Sequence, residues 1–428
     1  MIKKLAVLIA TGIFLFTSPS SAQSEEPHDT NLVDQPFSKS EPPAEVPAPA
    51  DESEKLDPDF DEPPPYTSDK PPVKPEEEDS SSIEEKPQIV EPQLPTEEVE
   101  GLEFLMYNQN GMMAFAVIAD HEKYLLRPVL ARGQVPGRAT VSQMNAPDAI
   151  ATINASYFAV NGVILGNTKI DGLTAGTTYF IRSAIGIRED GSTIFARQSY
   201  RGVLQFNGEE VVVGGVNCER NGNSVVVYNG WYGTTTGTNN FGVEFVVQDG
   251  IVVNIFRDKG NNYIPPNGFV VSAHGTAAEN FKGVYVGDEI IFDEDYINVE
   301  HGEDFNEAIH IIGAGPTLVK DGEVYVTADA EQFPSDIRVG RAPRSAVGVT
   351  QYGDYIFAVV DGRQAHSKGC TLTEWARILK NNFGAVNAIN LDGGGSTELI
   401  FKGKLVNKPS DGKERPVGDA LTIVRRGD

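Results

Sequence analysis

Basic residues are scarce in this chain. Across 428 residues, 35 Lys and Arg stand against 61 Asp and Glu, a formal net charge of −26. No basic stripe is visible that could neutralise phosphates along a duplex, which argues against a nucleic-acid partner. Cysteine is nearly absent as well. Cys218 and Cys370 form no C-x-x-C pair, and the six histidines include no H-E-x-x-H, so no standard zinc site is written locally. The two thiols fit either one disulfide in an exported protein or two unpaired buried side chains. Several familiar catalytic loops are missing too. Ser396 has Gly394 before it but Glu398 after it, so there is no G-x-S-x-G elbow. Gly393 to Ser396 lack the Gly-Lys-Ser/Thr of a phosphate-binding P-loop, and "GAGPTL" (residues 313–318) lacks the third glycine of a dinucleotide loop. Beyond residue 101 no period-repeat, coiled-coil heptad or low-complexity tract is visible. The acidic run Asp293-Glu294-Asp295 reads as a solvated loop without calcium-ligand spacing.

Long apolar runs are confined to the start. Lys3 and Lys4 precede an apolar stretch from Leu5 to Phe16, and Ser20-Ser21-Ala22 offers small residues for cleavage. This layout over residues 1–22 predicts a secretory signal peptide, with an uncleaved anchor as the alternative. No later stretch is long enough for a membrane helix, so no span is expected after cleavage and the product is expected to be secreted or periplasmic. Residues 24–100 then hold 24 Asp and Glu against 5 Lys, with 16 of the chain's 27 prolines. Such a segment cannot bury enough apolar surface to offset the entropy of ordering, so residues 23–100 are expected to form a disordered acidic stalk. A stalk of this kind is compatible with cell-wall association. It carries −19 of the total charge, which leaves residues 101–428 only mildly acidic.

What remains is rich in short β-branched runs, such as "SVVVYN", "VEFVVQDGIVVNIF" and "DYIFAVVDG", separated by Gly, Asn and Asp. That pattern predicts strands and turns. Near the end it changes. "YIFAVV" (Tyr355–Val360) is followed by "TLTEWARILKNNFG", in which Thr371 and Glu374 have capping-box spacing and Trp375, Ile378, Leu379 and Phe383 recur at helical spacing. Gly384 is positioned to end the helix, and "AVNAINL" reads as a second strand. The predicted fold class is therefore α+β: a single strand-rich mixed-sheet domain over residues 101–428 with a C-terminal parallel strand-helix-strand unit.

Parallel pairing would bring both strand exits to one sheet edge, where ligands commonly bind. Those exits are Asp361-Gly362-Arg363 and "NLDGGGSTEL", which contains Asn390, Asp392 and three consecutive glycines. A glycine triplet weakens regular structure and is tolerated where the backbone must bend or be approached closely. Exposed N–H groups of Gly393 and Gly394 could then touch a ligand. "NASYF", starting at Asn154, is a third polar exit, and "PRSAVG" adds Arg344, with Arg341 just before it. Each alone could be a turn or a solvated charge. Among the histidines, only His274 invites attention, with a turn or core role expected.

The glycine block, together with the later "PSD" and "ER" of residues 409–415, resembles the phosphodiester glycosidases. The segments "INASYF…LGN", "GAGPTLVKDG", "APRSAVGVT" and "VVDGR" agree in order, so the resemblance covers essentially residues 101–428. It implies hydrolysis of a sugar-1-phosphodiester in a wall polymer, exopolysaccharide or related glycan; no cofactor is expected and no metal ligands are assigned, with metal dependence left open. The family's shared polar residues match Asn154, Arg344, Asp361, Asn390, Asp392, Ser396, Ser410, Asp411 and Arg415. On this basis Asp392 and Asp361 are the expected catalytic carboxylates, and the others, with Gly393 and Gly394, are expected to bind substrate. Arg363 stands where a mammalian member has glutamine and is expected to tune substrate choice. Glu398 stands where the family has a small or hydroxyl residue, and no chemistry is assigned to it. Arginine forks suit a phosphate leaving group, and a carboxylate suits the oxocarbenium character of the sugar. Two other classes use similar loops: a noncatalytic wall- or polysaccharide-binding module, and a metal-dependent phosphodiesterase.

Overall fold

A computed structural model describes residues 99–427. The expected signal peptide and nearly all of the expected stalk lie outside these residues. The described chain is strand-rich with few helices, and its strands form four sheets. One seven-stranded sheet carries, side by side, Met112–Ala119, Tyr355–Val360, Arg344–Thr350, Ala385–Asn390 and Thr317–Lys320. A five-stranded sheet holds Leu399–Phe401, Ala149–Asn154, Asp419–Arg425 and Tyr124–Leu130 as neighbours. In a third, Thr193–Phe206, Arg182–Ile187 and His310–Gly313 are adjacent. The fourth is built around the hairpin Val243–Gln248/Ile251–Arg257.

Strand Tyr355–Val360 shows why its sequence is a continuous apolar run. Side chains alternate across a strand, and both faces of this one are covered. Tyr355, Phe357 and Val359 join a core shared with Ile153, Leu399 and Leu421 of the second sheet and Ile185 and Ile312 of the third. Ile356, Ala358 and Val360 point the other way, onto Trp375, Ile378 and Leu379 of the helix Leu372–Phe383. That helix begins at the expected capping box, with Glu374 N–H donating to the Thr371 hydroxyl at 3.2 Å and Thr371 N–H to the Glu374 carboxylate at 2.9 Å. It ends on Gly384 at φ +73°.

The expected parallel pairing does not occur. Arg344–Thr350 lies between Tyr355–Val360 and Ala385–Asn390 and is antiparallel to both. The tight turn after Thr350 returns the chain as a hairpin, so the helix must carry the next strand past one neighbour. The geometric consequence survives. The two outer strands still run in the same direction and finish at one edge, with Val360 opposite Arg344 and Asn390 opposite Ala346.

Three further expectations change. The acidic run is no loop: Asp293, Glu294 and Asp295 lie within strand Ile291–Asn298, where Glu294 turns inward and accepts from Thr174 and Tyr200 hydroxyls at 2.5 and 2.7 Å. The two cysteines are unbonded. Cys218 packs with Tyr228 and Tyr232 beside the fourth sheet, whereas Cys370 is sealed among Trp375, Ala376 and Leu379. A short internal repeat, missed in the linear reading, is also present: "RSAIGI" at Arg182 and "RSAVGV" at Arg344 both begin central strands.

Candidate active site at the glycine loop

Strand ends converge at the edge below the glycine loop. Leu391 N–H donates to the Ser345 carbonyl at 2.9 Å, and Asp392 N–H to the Ala155 carbonyl at 2.9 Å, joining the first two sheets. Asn154 is the staple. Its amide donates to the Asp392 carbonyl at 2.6 Å, while its oxygen accepts from the Ser345 hydroxyl at 2.7 Å and Glu398 N–H at 3.2 Å. Fully buried, Asn154 commits both lone pairs of its oxygen and one amide N–H to holding the loop, which leaves its second N–H.

Each glycine now has a reason. Gly394 has φ +62°, and a Cβ there would come 3.4 Å from the Arg363 guanidinium. At Gly395 a Cβ would overlap both the Arg415 guanidinium and the Asp411 carboxylate, which form an ion pair directly over it. Gly393 N–H donates to its neighbour's Asp392 carboxylate at 2.9 Å. The backbone is thus approached closely from two sides by arginines, and the triplet serves close approach as well as a turn.

Arg363 lies exposed over Gly394, with no carboxylate of the described residues within ion-pair distance. Arg415 bonds to Asp411 at 2.6 and 2.9 Å, and its own N–H donates to Glu398 at 2.7 Å. Arg344 behaves differently. It is 3 % exposed and uses Nη2 and Nε on the carbonyls of Gly340, Ile337 and Cys370, so it braces the loop before its own strand. Arg341, its expected companion, ties the helix start through Glu374 and the Gly369 carbonyl.

The two aspartates also differ. Asp392 is half-buried, and burial pushes its carboxyl up to about 6, with the Gly393 N–H and the Arg415 charge pulling the other way. Asp361 is 2 % exposed. Its carboxylate accepts from Lys408 N–H at 3.0 Å and Asn407 at 3.2 Å and faces the His366 ring nitrogen at 2.8 Å. Burial raises Asp361 too, opposed chiefly by His366. The exposed neighbour of this buried carboxylate is His366, whose side chain is 36 % exposed.

Five buried polar atoms among the described residues have no hydrogen-bond partner and belong to this one region: Asn390 Oδ1, Ser396 Oγ, Thr397 Oγ1, Glu398 Oε2 and Ser410 Oγ. Native interiors leave few such atoms, because each costs about 1–3 kcal/mol. They lie around the glycine loop, where the Ser396, Thr397 and Ser410 hydroxyls can still donate and the Asn390 oxygen can still accept. Glu398 is fully buried, and burial pushes its carboxyl up to about 8, which favours its neutral form.

Sequence reasoning gave no role to Tyr157 or His366 and named Glu398 only to assign it no chemistry. Tyr157 donates its hydroxyl to the Gly315 carbonyl at 3.0 Å and accepts from Asn390 at 3.1 Å, tying "GAGP" to the strand end. The "NASYF" exit contained the signal for Tyr157, but its partners are remote in sequence. His274 takes the expected turn role, accepting from Asn223 N–H at 3.3 Å. A group able to offer three metal ligands, Asp120, His121 and Asp354, lies at the opposite end of the strands from Asp361. Its atoms bond to one another and to Lys123.

A family profile described as phosphodiester glycosidase matches residues 241–424. Over 116 residues the chain is 33% identical to the mouse N-acetylglucosamine-1-phosphodiester alpha-N-acetylglucosaminidase, which is 25% of this chain and 22% of that protein. Over 109 residues it is 39% identical to an uncharacterized prophage-derived protein of Bacillus subtilis, covering 26% of this chain and 16% of the relative. The chain thus spans less than a quarter of the length of these curated relatives. In three dimensions it is similar to a hypothetical protein from Synechocystis, with a TM-score of 0.66 at 25% identity over 76% of this chain and 62% of the other. A Burkholderia pseudomallei structure shares the fold, with a TM-score of 0.62 at 23% identity over 73% and 74% of the two chains.

Proposed function

We propose, from the match of residues 241–424 to the phosphodiester glycosidase profile, that this protein is an exported hydrolase that cleaves the sugar–phosphate bond of a glycan phosphodiester and releases free sugar. The observation that carries the reading is the glycine loop with its cluster of unpartnered buried oxygens beneath two arginines. Unsatisfied oxygens accept from sugar hydroxyls. Arg363, unpaired, and Arg415, held by Asp411, meet the negative oxygens of the phosphate.

In this reading water adds to the anomeric carbon while the bond from that carbon to the phosphate oxygen breaks. The phosphomonoester leaves with the bonding pair, and the water's second proton passes to the site. A phosphate leaving group is already acidic, so charge stabilisation matters more than its protonation. Asp392, ionised above about pH 6, stabilises the oxocarbenium-like carbon as water adds. Asp361 orients His366, which handles the proton. Arg344 and Asn154 support the edge from behind.

Product identity tests this directly on a panel of sugar-1-phosphodiesters and teichoic-acid-like polymers. Free reducing sugar is the expected product. Sugar phosphate, lost in chelator, would instead indicate a metal-dependent phosphodiesterase, and binding without turnover a noncatalytic module. Among the described residues no helix is long and apolar enough to cross a membrane. Export rests on the N-terminal sequence.

A further inference from the structure

Arg182 begins its strand as Arg344 begins the related one. Each strand sits between two antiparallel partners: Ala184 is opposite Gly313 and Ala196, and Ala346 is opposite Asn390 and Ala358. The chain that leaves the partner strand is "GAGP" in one case and "LDGGGS" in the other. Tyr157 bridges the two exits through the Gly315 carbonyl and Asn390. Asp392, Arg344 and Arg182 all lie close enough for their charges to act on the Tyr157 phenol. Both repeats therefore bring an arginine to the same neighbourhood.

The fates of the two arginines differ. Arg344 is consumed by backbone carbonyls, whereas Arg182 is half-buried, and no carboxylate among the described residues is within ion-pair distance of it. The nearby Glu331 is occupied, accepting from Ser183 at 2.6 and 2.8 Å and from Thr317 N–H at 3.1 Å. Rings hold Arg182 in place instead. Its guanidinium lies 3.9 Å from the Phe333 centroid and 4.6 Å from that of Phe180, and its Nε is buried without a partner. Phe333 in turn packs on Tyr157, with centroids 5.5 Å apart. Beside them Tyr179 is 88% exposed, with its ring 4.2 Å from that of Phe180. Aromatic stacking fixes the guanidinium plane and leaves its N–H edge for a ligand.

We propose that Arg182, held by Phe180 and Phe333, is a second anion-recognition site that takes the neighbouring phosphodiester of a polymeric glycan. The substrate class is then a chain of repeated sugar phosphodiesters, with one phosphate at the glycine loop and the next at Arg182. Tyr179 and Phe180 offer the flat apolar surface that a sugar ring between the two phosphates requires. The inference rests on the hydrolytic reading only for the identity of the first phosphate.

Binding of non-hydrolysable phosphonate analogues to the full chain, by calorimetry at fixed ionic strength, tests it without turnover. A trimer should bind about tenfold or more tightly than the matching monomer. Arg182→Ala should bring the two to within about twofold, and Arg182→Lys, which keeps charge but not the fork, should fall between. Phe333→Leu, which removes one stacking ring, should shrink the preference in the same way should Arg182→Ala fail to fold. An unchanged trimer preference in folded Arg182→Ala, or no preference in the parent protein, overturns the proposal. Trimer preference through Arg182 with no sugar released from hydrolysable polymer would sink the hydrolytic reading and leave the second anion site standing.

Discussion

Asp392 and Glu398 are six residues apart and both are pushed upward by burial, yet they stand on opposite sides of neutral pH. Asp392, at about 6, is ionised at pH 7 and can serve as a carboxylate. Asp392→Asn should lower turnover by about a hundredfold or more while the melting midpoint survives. Parent activity should climb as pH rises through about 6, and the residual activity of the Asn variant should lack that limb. A wild-type rate from folded Asp392→Asn would mean that the chemistry lies elsewhere. Glu398, at about 8, favours its protonated form in the fold at pH 7 but is ionised in the unfolded chain. A carboxyl raised on folding contributes stability that is complete below its ordinary value near 4.5 and is lost as pH climbs through 8. Glu398→Gln removes that loss. Its melting midpoint should fall less than the parent's between pH 5 and 9 and exceed it at pH 9 by at least about 3 °C.

At the scale of elements, the glycine loop and the capped helix make opposite demands on their backbones. Gly395→Ala puts a methyl where the Arg415–Asp411 pair lies, so the pair must move; KM should rise at least about fivefold with a smaller change in kcat. An unchanged KM would show that the pair does not touch substrate. Thr371→Ala removes the hydroxyl that caps the helix and should cost about 1 kcal/mol in denaturant unfolding without altering KM. The helix was legible in sequence because its signals are local: Thr371, Glu374 and Gly384 act within one turn of the ends they define. Strand neighbours were not. A strand's alternation reports which side chains face a core, but not which strand lies beside it, and Arg344–Thr350 took the middle place unannounced. The same limit hid Tyr157, which meets Gly315 and Asn390 across long sequence separations, whereas His366 lies only five residues from Asp361 with no spacing that marks their contact. Arg344 was visible as an arginine at a strand start, but only three-dimensional packing reveals that backbone carbonyls occupy it.

For the whole molecule, the question is how much of the chain the fold needs. Its two largest cores draw on residues from Leu102 to Ile423, and the first described strand, Leu102–Gln109, pairs completely with Met112–Ala119. The sheet edge therefore closes with residues that follow the acidic segment. Residues 24–100, by contrast, supply 24 carboxylates and 16 prolines, a composition that offers little apolar surface to bury. Deleting residues 24–95 while keeping the signal sequence should leave the melting midpoint within about 2 °C of the parent, because their composition offers little apolar surface for a core. Activity on a soluble sugar phosphodiester should be equally unaffected if the segment acts only as a spacer. A higher kcat/KM after deletion would show that the acidic segment competes with an anionic substrate for Arg363 and Arg182, since both draw on the same unpaired positive charge. That competition would weaken as salt is raised toward 0.5 M, whereas a segment docked through apolar contacts would hold on. Activity measured with and without the segment across a salt series therefore separates a spacer from an electrostatic inhibitor, and a large loss of stability on deletion would refute the assignment of these residues to a dispensable stalk.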